Sequence, residues 1–356
     1  MKFGILYNID YHEDVHGSQA QYYETILQQV ERLDELGYDS VWFGEHHYGK
    51  YSFSVPSLMC LAAAQRTTDI RVGTGVSLLP LQHPVRQAEE FAMLDVLTGG
   101  RVEYGVGRGF LKWGYDIMGV DEAESVERYY EALEIITSIY HSDGPVSFTG
   151  EHWDVRDFEL FPRPIQDPLP IYSSGASTLD SYAFAGRMGV NLATAFFVPK
   201  QDTVRKGIAS YREELRKQGI DPNDREVLAV VPMYCAETEE EARQSFEYTQ
   251  NYLGFFGGLD ARSPHRADSY KEYIAEPTRA GATQYGLPTF DDWDKANLSL
   301  IGTPDRIIEK IQWYNDYYDH PDHLLLEVAQ GGMPPELVIP TIERFAENVM
   351  SKFKDS

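Results

Sequence analysis

Two adjacent imidazoles, His46 and His47, follow the apolar run Ser40-Val41-Trp42-Phe43 and sit between Glu45 and Tyr48. Histidine titrates near neutrality, so such a pair at the end of a buried strand offers acid–base chemistry. A strand end whose polar residues simply face solvent would look the same. Further along, Gly107-Arg108-Gly109 closes the apolar run Val102 to Val106, and Ser173-Ser174-Gly175-Ala176-Ser177-Thr178 opens a helical stretch. Small residues, hydroxyls and unbonded backbone N–H groups at a helix start can hold a dianionic phosphate. Arg108 can supply the positive charge. Each group also has an ordinary structural use, with Ser177 as an N-cap and Arg108 as the partner of a carboxylate. The His46–His47 pair fits metal hydrolysis poorly, since its members are adjacent rather than i, i+4; His12 and His16, with Glu13 between them, do have the H-E-x-x-H spacing.

The elements that must position these groups alternate between apolar runs and helix-period stretches. Eight strands are predicted: Lys2 to Tyr7, Ser40 to Phe43, Ile70 to Val76, Val102 to Val106, Leu169 to Ser173, Val190 to Ala193, Glu226 to Tyr234 and His323 to Val328. Helices are predicted for Gln19 to Leu36, Pro84 to Leu97, Glu124 to Tyr140, Thr178 to Met188, Asp202 to Lys217, Thr303 to Tyr318 and Pro335 to Phe353. Gly37 suits a left-handed C-terminal cap, and Pro84 and Thr303-Pro304 suit helix starts. Eight strands with helical crossovers favour an α/β fold of the closed (β/α)8 TIM-barrel type, expected to be one domain over residues 1–356. An open dinucleotide-binding sheet is disfavoured, since no G-x-G-x-x-G follows the first strand. Two insertions are expected, a hairpin within 146–164 after the fourth strand and, following a helix predicted for Glu239 to Leu253 after the seventh, a lid candidate over 254–300. In such barrels the loops after the strands carry function. That places His46 and His47, Gly75 and Val76, Gly107 and Arg108, the Ser174 to Thr178 segment, and Phe196 and Phe197 around one mouth.

Composition narrows the partners. Lys and Arg number 31 against 56 Asp and Glu, a formal charge of −25, which argues against nucleic acid and anionic membranes. Cys60 and Cys235 lack metal or redox spacing. No run approaches the roughly 18 apolar residues of a membrane span, and the first residues read as a strand, so a cytoplasmic location is expected. Aromatic residues make up 13% of the chain, which hints at a pocket for a flat or apolar ligand.

Several segments together resemble the bacterial luciferase-like flavin-dependent monooxygenase family over essentially the whole chain. They are Met1-Lys2-Phe3-Gly4, Gly44 to Tyr48, Val72-Gly73-Thr74, Leu79 to Glu89, Leu94-Asp95, Gly100-Arg101, Gly107 to Gly109, Ala176-Ser177-Thr178 and Ile301 to Pro304. The run His83-Pro84-Val85-Arg86-Gln87-Ala88-Glu89 is the most specific. The resemblance implies FMN as cofactor, with His46 as the active-site histidine beside the reactive edge of the flavin and Arg108 on its phosphate. It implies further phosphate contacts at Ser174, Gly175, Ser177 and Thr178. Gly75-Val76 matches a site where luciferases carry a non-proline cis peptide against the isoalloxazine. Three departures stand out: Gly107 replaces a cysteine near the flavin, Ser174 replaces a carboxylate, and Val126 replaces an arginine near the phosphate, for which Arg128 could compensate. They put light emission in doubt.

The activity implied is a two-component monooxygenase. A separate flavin reductase would supply reduced FMN, O2 would form a flavin 4a-hydroperoxide, and a small apolar organic substrate would be oxygenated in a pocket lined by Phe196 and Phe197. The alternatives are hydride transfer with a reduced deazaflavin, or flavin binding without catalysis. Luciferase relatives commonly pair through helices on one barrel flank, so a homodimer is expected. Pro84 to Leu97 and Ser57 to Gln65 are the candidate faces.

Overall fold

The computed structural model describes residues 1–8, 10–47, 53–109, 111–176, 178–197, 200–262 and 289–354. Eight strands, β1 (Lys2–Tyr7), β2 (Ser40–Phe43), β3 (Arg71–Thr74), β4 (Val102–Gly107), β5 (Ile171–Ser174), β6 (Asn191–Ala195), β7 (Val227–Cys235) and β8 (His323–Glu327), lie parallel and pair in chain order. β8 returns to β1, with Leu6 opposite Glu327, so the sheet closes into the expected (β/α)8 TIM barrel. Strand boundaries fall within a few residues of the predicted ones. The main difference lies at the third strand, predicted as Ile70 to Val76. It stops at Thr74, the Gly75–Val76 peptide is cis, and Ser77–Leu78 then pairs separately with β4.

Trp42 fills the barrel interior because its neighbours make room. A Cβ on Gly73 would lie 2.6 Å from the indole ring and one on Gly105 would lie 2.7 Å from it. Leu6, Trp42, Tyr172, Ala193, Leu228 and Leu325 form this inner cluster. Towards the N-terminal ends of the strands the interior is polar and paired. Lys2 Nζ meets Glu226 Oε1 at 2.5 Å, Arg71 Nε donates to Glu103 Oε1 at 3.0 Å, and Trp42 Nε1 donates to Ser40 Oγ at 2.8 Å. The opposite end stays open.

Helices cover the outside and bury their apolar faces on the strands. Ser18 caps helix Gln19–Glu35 through a capping box with Gln21, and His83 caps Pro84–Leu97, its Nδ1 accepting from Val85 N at 3.3 Å. The last helix was expected to run unbroken to Phe353. Instead Pro335–Phe345 passes into a π-turn at Ala346–Met350, a register change that keeps Ala346, Val349 and Met350 inside with Phe345.

The first insertion is the expected hairpin, Val146–Thr149 against Asp154–Phe158. Glu131 clamps its turn by accepting from the N–H groups of Glu151, His152 and Trp153 at 2.8, 3.0 and 3.2 Å. The second is regular at its two described ends. An α-helix runs from Glu239 to Arg262, and Phe290–Lys295 and Leu300–Gly302 are regular, since propensity is a weak prior once a helix has tertiary support. The remainder of the lid candidate, 263–288, lies outside the described residues. No helix among the described residues is long and apolar enough to cross a membrane.

Candidate active site

A cavity of about 560 Å3 opens over the C-terminal ends of the strands. Leu6, Trp42, Ala193, Leu228 and Leu325 floor it, and the Gly75–Val76 cis peptide forms part of its wall. Such a concave, mostly apolar space with a few convergent polar groups is the form a cofactor site takes.

His46 enters from the loop after β2. Its Nε2 lies 3.1 Å from Asn8 Oδ1, a carbonyl oxygen that only accepts, so the ring carries its proton on Nε2 and Nδ1 is the accepting nitrogen. Enclosure by the protein, reinforced by His47, pushes its pKa down to about 3, so the imidazole is neutral at physiological pH. His47 is turned differently. Its Nε2 lies 2.7 Å from Glu45 Oε1, while Glu45 Oε2 accepts from Leu78 N at 3.2 Å and Oε1 from Gln82 Nε2 at 3.4 Å. Gln87 Nε2 in turn donates to Gln82 Oε1 at 2.6 Å, and Tyr104 OH to Gln87 Oε1 at 2.8 Å. The motif around His83 to Glu89 therefore fixes the second histidine, and through it the loop that presents the first.

Arg108 lies across the cavity. One guanidinium nitrogen, Nη1, donates to Ser125 Oγ at 3.0 Å, and among the described residues it makes no salt bridge. In a chain with 25 more acidic than basic residues, a cavity-lining guanidinium without a carboxylate is a site for an anion. Tyr115 OH donates to the Arg108 carbonyl and holds its backbone. Ser174, Gly175 and Thr178 line the same end; Thr178 also caps helix Leu179–Arg187, accepting from Ser181 N at 3.4 Å. Ser177 lies outside the described residues. Gly107 is packed behind the wall, where a Cβ would sit 2.5 Å from Val76 Cγ2 and 2.7 Å from Ser174 Oγ. A flat ring with a phosphate tail fits this set of a cation, hydroxyls, an apolar floor and a backbone wall, so the residues present suit a flavin mononucleotide.

Two expectations need correction. Phe197 lines the cavity, but Phe196 points the other way, fully buried and stacked on Tyr318 with ring centroids 3.8 Å apart. Adjacent residues at a strand end project to opposite faces, and only one of the two can face inwards. Arg128 does not compensate for Val126, which lines the cavity. Its guanidinium pairs with Glu124 Oε2 at 2.9 Å and lies over the Trp153 ring.

Sequence reasoning missed Asn8, Tyr252 and Glu327. Asn8 Nδ2 donates to Tyr252 OH at 2.8 Å and lies 3.4 Å from Glu327 Oε1, which also accepts from Tyr252 OH at 3.0 Å. Burial pushes the Glu327 carboxyl up to about 7, against the opposing effect of these two donors. An acidic residue ending an apolar parallel strand was the available signal.

Known proteins with similar sequences and structures point the same way. Residues 1–320 match the profile of the family described as luciferase-like monooxygenase. An uncharacterised protein of Sinorhizobium fredii is 35% identical over 215 residues, 60% of this chain and 61% of that protein, so the chain aligns with about three fifths of that relative. The oxygenase component of flavin-dependent trigonelline monooxygenase from Acinetobacter baylyi is 25% identical over 361 residues, covering 100% of this chain and 96% of the relative. The solved structure of monooxygenase RslO1 from Streptomyces bottropensis superposes with a TM-score of 0.83 at 26% identity, covering 99% of this chain and 100% of that one.

Proposed function

The chain belongs to the luciferase-like monooxygenase family, and on that premise we propose that it is the FMN-using oxygenase of a two-component monooxygenase acting on a small, largely apolar organic substrate. The observation that carries this reading is one cavity with an anion-seeking Arg108 at one end and the neutral His46 over an apolar floor. Arg108, Ser174, Gly175 and Thr178 would hold the phosphate, and Gly75–Val76 would back the ring. Reduced FMN, when bound, supplies the electrons that activate O2 for insertion of one oxygen atom into the substrate. A separate flavin reductase as supplier is supported by the relative named an oxygenase component.

Burial keeps the His46 ring neutral and makes it a weak base, so its part is to hold and orient hydrogen bonds at the reacting centre rather than to store a proton. Its neutral ring keeps Nε2–H on Asn8, which aligns Nδ1 as the accepting atom. Phe197, Val230 and Leu228 line the cavity with apolar surface, which would limit water around a bound flavin and so the loss of oxygen as hydrogen peroxide. A second copy of the chain is the proposed partner for the exposed side chains Leu58, Met93, Val96 and Leu97 on helices Pro56–Ala64 and Pro84–Leu97.

His46→Ala is expected to retain FMN binding while lowering the product-forming rate by about 10²- to 10⁴-fold, with oxygen consumption diverted to hydrogen peroxide. Product and peroxide measured together on a substrate turned over by the wild type check this. Unchanged coupling of oxygen to product would remove His46 from the mechanism.

A further inference from the structure

Glu327 ends β8 with the inward orientation of Leu325, two residues earlier, and lines the cavity while only 3% exposed. Its Oε1 is already committed as an acceptor to Tyr252 OH and to Asn8 Nδ2. The bonds behind those donors run one way. His46 Nε2–H donates to Asn8 Oδ1, the Asn8 amide donates to Tyr252 OH, and Tyr252 O–H donates to Glu327 Oε1. A proton on this carboxyl therefore belongs on Oε2, which has no hydrogen-bond partner among the described residues. Among the described residues the titratable groups facing Glu327 are Tyr252, from helix Glu239–Arg262, and His46 across Asn8. Leu6, the register partner of Glu327 on β1, and Val230 and Leu325 line the same cavity with apolar surface. Among the described residues no cation pairs with this carboxyl, and burial raises its pKa to about 7, so the acid form is present at physiological pH.

We propose that Glu327 is the substrate-anchoring residue of this cavity, its Oε2–H donating a hydrogen bond to the oxygen of an uncharged substrate that carries an accepting group. This deepens the oxygenase reading above and rests on it for the substrate's place in the cavity. The anchor selects for neutral oxygen-bearing molecules over pure hydrocarbons, since burying the donor without an acceptor costs free energy. Through Tyr252 it ties substrate binding to helix Glu239–Arg262, and through Asn8 to the tautomer of His46. None of the three is positioned independently of the others.

The test uses the full chain without flavin or oxygen, with cyclohexyl methyl ketone, isopropylcyclohexane and cyclohexyltrimethylammonium as probes in calorimetric titrations from pH 5.5 to 8.5. The ketone is expected to bind the wild type about tenfold more tightly than the hydrocarbon at pH 6, and to lose that advantage as pH rises through about 7. Glu327→Gln, whose amide also donates, is expected to keep the ketone preference at every pH, and Glu327→Leu to lose it throughout. Trimethylammonium binding is expected to strengthen above pH 7 as the carboxyl ionises; a wild-type ketone preference that is absent at pH 6 or does not change with pH overturns the proposal. If either variant fails to fold, the wild-type pH profile alone decides. Because neither cofactor nor O2 is present, the outcome is independent of the His46→Ala experiment that tests the oxygenase reading.

Discussion

His46 and Arg108 illustrate how far a residue's chemistry follows from its neighbours. The imidazole is neutral because it is enclosed, and it is oriented because Asn8 offers an acceptor to Nε2. The guanidinium stays available because its described partner is a hydroxyl. If the phosphate binds there, Arg108→Ala is expected to weaken FMN about 10- to 100-fold, the worth of a charge-assisted pair, while leaving riboflavin binding unchanged. Fluorescence titration with both flavins checks this; an equal loss for both would move the phosphate elsewhere. His46, Arg108 and the small residues around Ser174 were legible as types at strand ends. Glu327 was not. Strands of a parallel barrel are buried on both faces, so His323-Leu324-Leu325-Leu326-Glu327 shows no polar alternation to tell inward from outward. The same ambiguity hid which of Phe196 and Phe197 enters the cavity.

At the scale of elements, the alternation of apolar runs with helix-period stretches carried nearly the whole barrel, because β-α repeats bury each strand and leave each helix one apolar stripe. The sequence was less informative where tertiary contacts decide the outcome. The π-turn at Ala346–Met350 and the extension of helix Glu239–Arg262 past its first glycine both run against local signals. The part of this helix before that glycine delivers Tyr252 to Glu327. Helices Pro56–Ala64 and Pro84–Leu97 carry a different message: Leu58, Met93, Val96 and Leu97 are exposed on these two helices, which pack on each other. Light scattering is expected to give twice the 40.5 kDa chain mass at micromolar concentration, and Leu58→Glu with Met93→Glu to return it to that of one chain. A wild type that already runs as one chain would contradict the pairing.

The whole molecule divides its labour along the barrel axis. The N-terminal ends of the strands hold paired charges such as Lys2 with Glu226 and Arg71 with Glu103, together with His323, whose pKa burial lowers to about 3. The C-terminal ends leave a cavity in which His46, Arg108 and Glu327 approach one apolar floor. Stability is concentrated at one end and reactivity at the other, as expected for this fold. A net charge of −25 leaves that cavity as a local exception that can receive an anion at Arg108. The central claim is that this cavity binds reduced FMN and controls its reaction with oxygen. Anaerobic titration of the protein with photoreduced FMN, followed by rapid mixing with oxygenated buffer, tests it most directly. The expected result is saturable binding and a return of oxidised-flavin absorbance that is slower than for free reduced FMN. Failure to bind reduced FMN, or reoxidation at the rate of the free flavin, would contradict it.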